Sequence, residues 1–134
     1  MELDDPANLR RTVYARISRL KLNDLLTQFD YPDANVHAEG RSVTNTPTQK
    51  LFVMNNSFVI EQARALAARL TAEAARDDAE RVGRAYRVVF GREATADEVR
   101  VGVEFLRRPE AWAMSRWEEY AQVLLASNEA LYVD

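Results

Sequence analysis

The sequence predicts a mainly all-α fold: a compact bundle of about five short helices behind an irregular N-terminal segment with room for one short strand. Three observations predict it. From residue 47 onward, apolar residues return every three or four positions, as one face of a helix requires. Thr, Ser or Asp stands ahead of these stripes, in places with Glu or Gln three residues later, which is the pattern of a capped helix start. The chain also holds only 4 Gly and 4 Pro, few for a turn-rich β-sandwich.

Residues 1–46 are loop-rich. Thr12 to Ser18 alternates, with Val13, Ala15 and Ile17 on one side. That suits a short strand, and the same residues suit the opening of a helix. A lone strand needs a partner, and no convincing second one follows. Leu22 to Phe29 reads as a short helix, stopped by Asp30-Tyr31-Pro32-Asp33. Residues 31–46 form the longest irregular stretch. A loop of that length is functional or packed against a partner.

Residues 47–134 are predicted as the helical core. Thr46, Pro47 and Gln49 supply a cap, a first-turn proline and a capping-box partner for a helix over Pro47 to Asn55. Asn55-Asn56-Ser57 breaks it, and Ser57 is placed to cap a helix reaching about Ala75. Val59, Ala63, Leu66 and Leu70 make its apolar stripe. Asp77 or Asp78 starts the next helix, with Val82, Ala85, Tyr86 and Val89 inward and Gly91 at its end. Thr95 and Glu98 frame a helix to about Arg107, with Val99, Val103 and Leu106 inward. Ser115 and Glu118 frame the last, although a start near Glu110 is open. Its expected buried face is Trp117, Tyr120, Ala121, Leu124, Asn128 and Leu131.

A length of 134 residues fits one domain, 1–134, able to bury roughly two-thirds of its unfolded surface. The net charge is −3, which argues against a nucleic-acid partner. Sixteen of the 18 cations are arginine, the others being Lys21 and Lys50, which favours helix faces laced with ion pairs. The absence of cysteine excludes disulfides, thiolate metal sites and a Cys nucleophile. No stretch approaches the ~20 apolar residues of a membrane span, so membrane insertion is not expected. Met1 to Pro6 is acidic and does not read as a signal peptide.

No HExxH, Gly-rich phosphate loop or GxSxG pattern is present, which leaves enzymatic activity open and favours a non-catalytic reading. No cofactor or metal is expected. The low-specificity binding candidates gather in the loop. Asp30 and Asp33 form a carboxylate pair suited to acid–base work or a hard cation, although Asp also favours turns through its own backbone bonds. His37, the only histidine, has Asp33, Asn35 and Glu39 nearby, yet an isolated loop histidine is more often solvated. Arg41 and Asn45 stand with Thr44 before a helix N-terminus that attracts anions, unless Thr46 and Gln49 already satisfy its amides. Trp112, Trp117 and Tyr132 suggest a stacking platform for a sugar or base, against which Trp117 has helical core spacing. Arg92 and Glu93, in an interhelical turn, read as a structural lock. Asn55 or Asn56 is expected to bond backbone at the helix junction.

Six segments in order resemble one family. They are Arg10 to Tyr14, Phe29 to Asn35, Thr44 to Gln49, Met54 to Ala63, Ala85 to Glu93 and Leu124 to Asp134. The family is the PSD module of unknown function, found at the C-terminal end of large planctomycete proteins that carry a cytochrome-c-like domain. Lys50 and Ala126 depart from its usual Ala and Asn. The resemblance implies a fragment of a larger exported protein, at the periplasm or cell surface, with upstream domains as partners. It offers no activity and no catalytic residue to carry over.

Three functions follow as expectations: a non-catalytic packing module for an upstream domain or another protein; one wall of an active site completed by an upstream domain, through Asp30, Asp33, His37 and Arg41; or a carbohydrate or cell-surface binding module.

Overall fold

The computed structural model describes residues 8–18, 20, 24–29, 31, 46–110 and 113–132. Every regular element among them is helical. The chain divides into two compact units, Met1–Leu51 and Phe52–Asp134.

In the N-terminal unit, Thr12–Tyr14 makes one 3-10 turn, closed by N–H groups of Tyr14 and Ala15 donating to the carbonyls of Arg11 (2.9 Å) and Thr12 (3.0 Å). The alternation at 12–18 therefore yields no strand among the described residues. Without a partner, its backbone has no ladder to join. Helix α1 is Asp24–Gln28. Its end is closed by the Leu26 carbonyl, which accepts from Phe29 (3.2 Å) and Tyr31 (3.0 Å). Helix α2, Pro47–Asn55, begins in this unit and ends in the second, and it starts as its caps dictate: Thr46 N–H donates to Gln49 Oε1 (3.1 Å) and Gln49 N–H to Thr46 Oγ1 (3.4 Å). Gln49 Nε2 also donates to the Gln28 carbonyl at 3.0 Å, which ties α2 to the end of α1 and lets this amide be buried.

The second unit holds α3 (Ser57–Ala72), α4 (Asp78–Phe90), α5 (Ala96–Leu106), α6 (Arg116–Leu125) and α7 (Asn128–Leu131). Its core joins Leu70, Val82, Ala85, Tyr120 and Leu124, with Leu66, Tyr86, Val99 and Val103 packed around them. Full burial of a leucine such as Leu70 is worth about 2 kcal/mol. Beside it, Ala63, Ala67 and Ala121 form a second buried cluster under Leu66, Trp117 and Leu125. These small residues let α3 and α6 make the most extensive helix contact of the unit. α5 comes close at Gly102, where a Cβ would stand 2.6 Å from Tyr120 Oη and 3.1 Å from Val82 Cγ1.

Most boundaries fall where caps place them. Thr95–Glu98 and Ser115–Glu118 are complete capping boxes, and Asp77 accepts from Glu80 N–H. Gly91 ends α4 at φ 69°, in the left-handed region. Three expectations are corrected. The cap of α3 is Asn56, whose Oδ1 accepts from Phe58 N–H at 2.9 Å, so Ser57 is the first helical residue. α3 ends at Ala72 because Glu73 turns extended, where Arg69 (3.4 Å) and Arg84 (2.9 Å) hold its carboxylate. The last expected helix is two. Ser127 closes α6 by donating its hydroxyl to the Leu124 carbonyl (2.7 Å), and caps α7 by accepting from Ala130 N–H (3.3 Å). Asn128 consequently opens α7 and is exposed.

Candidate functional site

The second unit assembles its polar chemistry at Arg92, just past Gly91. Arg92 Nε and Nη2 donate to the two Glu129 oxygens (2.6 and 2.8 Å). Nη2 and Nη1 donate to the two Glu98 oxygens (2.8 and 3.0 Å), and Nη1 also to the Glu93 carbonyl (3.0 Å). Five donors meet five acceptors, so the guanidinium has none left for a ligand. It also lies over the rings of Tyr86 (5.2 Å) and Phe90 (5.6 Å).

The charges follow from that geometry. Hydrogen bonds from Arg92, then from the Thr95 backbone, hold Glu98 down at about 2. Glu129 is lowered by Arg92 as well, and Arg92 is raised by Glu129 and Glu98. A carboxylate so held stays ionised and is a poor proton donor near neutrality. Tyr120 is raised by burial, as is Tyr86, where the Glu98 charge adds to the effect. Both phenols stay protonated at neutral pH. The cluster locks the α4–α5 turn to α5 through Glu98, in line with the structural role read for Arg92 and Glu93, and extends to α7 through Glu129, which was not anticipated.

Arg116 does similar work at the start of α6. It donates to the carbonyls of Arg108 (3.2 Å) and Pro109, pairs with Glu119, and lies over Phe105 at 5.4 Å. It thereby pins the connection after α5. Two buried atoms, Glu119 Oε1 and Arg81 Nε, have no hydrogen-bond partner. Neither residue lines the groove that follows.

An open groove of about 440 Å³ runs over Ala65, Leu66 and Arg69 of α3, Val88 and Val89 of α4, and Leu125 of α6. Its size falls in the range of small-molecule sites. Its floor is apolar, and Arg69 is already paired with Glu73. It offers apolar contact and no nucleophile or proton-transfer group.

The residues singled out from sequence, Asp30, Asp33, His37, Arg41 and Asn45, lie outside the described residues, as does Trp112. Trp117 packs edge-on against Tyr120, with ring centres 5.9 Å apart, and bridges both core clusters. Asn56 bonds the helix-junction backbone, as anticipated. Among the described residues, no three His, Asp or Glu side chains gather as metal ligands would, and no helix is long and apolar enough to cross a membrane. Sequence reading missed Glu129 as a partner of Arg92, because 37 residues separate them and no local pattern links them.

A family model, PSD1, described as a protein of unknown function (DUF1553), matches residues 2–106. No curated protein and no solved structure matches the chain.

Proposed function

The chain belongs to the PSD1 family of proteins of unknown function, and on that premise we propose that it is a non-catalytic helical packing and interaction module of a larger exported protein. Its working surface lies in the N-terminal unit and docks on an upstream domain or a partner protein. One observation carries this reading. Over residues 8–20, Leu9, Val13, Tyr14 and Leu20 are 75%, 76%, 73% and 100% exposed, and no described residue there is buried. Apolar side chains grouped in this way mark a surface that another body covers. The chemistry of the second unit agrees, since Arg92 and its two carboxylate partners are spent on holding the α4–α5 turn, α5 and α7 together.

Hydrogen–deuterium exchange tests the reading. Amides of residues 8–18 should exchange fast in this chain alone. They should become protected in the full reading frame of the parent protein, or with its partner. Equally fast exchange in both settings removes the proposal.

A further inference from the structure

We infer that the stretch 9–20 is a docking strip for the acidic face of a protein, one with apolar recesses between its carboxylates. This rests on the interaction-module reading and adds the chemistry of the partner.

Charge is the first observation. From Leu9 to Lys21 the sequence carries Arg10, Arg11, Arg16, Arg19 and Lys21 and no Asp or Glu, in a chain whose net charge is −3. Arg10, Arg11 and Arg16 are exposed and form no ion pair among the described residues. Arginines of the second unit behave otherwise: most of them, Arg84 and Arg92 included, are matched to a carboxylate. A run of unmatched cations among exposed Leu9, Val13, Tyr14 and Leu20 complements carboxylates set among apolar recesses.

Backbone form is the second observation, and it selects the class of partner. The strip is a single 3-10 turn followed by extended Ala15 at φ −79°, ψ 151°. A lipid surface favours a helix that separates its cations from its apolar face. Here Arg10, Arg11 and Arg16 are interspersed with Leu9, Val13 and Tyr14 along a stretch whose one regular element among the described residues is a 3-10 turn of three residues. That turn is too short to sort them onto two faces, and such a segment is read one side chain at a time by separate sockets. Nucleic acid would engage the arginines and leave Leu9, Val13 and Leu20 in water.

Fluorescence anisotropy of the whole chain with a labelled peptide alternating Glu with Val and Leu provides the test. Polyglutamate, phosphatidylcholine–phosphatidylserine vesicles and a DNA duplex serve as rival probes. The alternating peptide should bind best. R10E/R11E/R16E should weaken it about tenfold and flatten its salt dependence. V13S/Y14S should weaken it with the salt dependence kept. The replaced residues are exposed, so both variants should retain the wild-type circular dichroism. Equal binding of polyglutamate, an unaffected V13S/Y14S variant, stronger binding to vesicles or DNA, or no peptide binding each overturns the inference. Protection of residues 8–18 in the parent protein, with the peptide failing, would discard this partner chemistry and leave the interaction module standing.

Discussion

Leu20 and Leu70 are the same side chain with opposite fates: the first is 100% exposed, the second 1%. Their neighbourhoods are similarly apolar, with Leu9, Val13, Tyr14 and Ile17 before one and Ala63, Leu66 and Ala67 before the other. What differs is order. Around Leu70 the apolar positions keep a helical period and a capped helix carries them, so one face can be covered by α6. Around Leu20 the period is mixed and cations interrupt it. Apolar content alone does not make a core; it has to be phased by an element that can turn it to one side.

The sharpest way to break this comparison is to remove the covered leucine. Leu70→Ala should cost roughly 3 kcal/mol, read as a lower urea midpoint at constant slope. An effect under 1 kcal/mol would mean that the core does not depend on phased burial. Next is Gly102→Val, where the new carbons would meet Tyr120 Oη and Val82. Overpacking of about 2 kcal/mol should appear in thermal melts, and a neutral result would refute the close approach. Thr95→Ala deletes one capping box and should cost about 1 kcal/mol.

A smaller effect belongs to the exposed Arg92 lock, and pH isolates it. Glu98 sits at about 2 in the folded chain against an ordinary 4.5, so the unfolded chain takes up the proton first. The contribution is complete above about pH 4.5 and is lost as pH falls toward 2. Arg92→Gln should flatten the fall in Tm across that window, and added salt should mimic it in part. A variant that loses stability as steeply as the wild type contradicts the assignment. Smallest of all, Leu20→Ala should stay within about 0.5 kcal/mol of the wild type. A large loss would show that residues 9–20 already have a cover within this chain.

The sequence reveals those features whose cause is local. Thr95 with Glu98, Ser115 with Glu118 and Gly91 at the end of α4 each act within a few residues, and the structure has them in those roles. Ser127 was harder, because its hydroxyl serves two helices at once while the apolar period runs on through it. Gly102 carries no signal of its own, since the need for a missing Cβ is set by Tyr120 on another helix. The groove is of the same kind: α3, α4 and α6 each contribute a few side chains, and only their packing brings these together. Of the candidate site, Arg92 was legible as a lock from its place in a turn, whereas Glu129 came from a distant helix. Asp30, Asp33, His37, Arg41 and Asn45 lie outside the described residues.

The pairing of α3 with α6 has a consequence for how the chain is made. Synthesis runs from the N-terminus, so Ala63 and Ala67 emerge from the ribosome long before Ala121 arrives to meet them. Until α6 follows, the small-residue flank of α3 has nothing to close against, so this part of the core can be completed only once nearly the whole chain has been made.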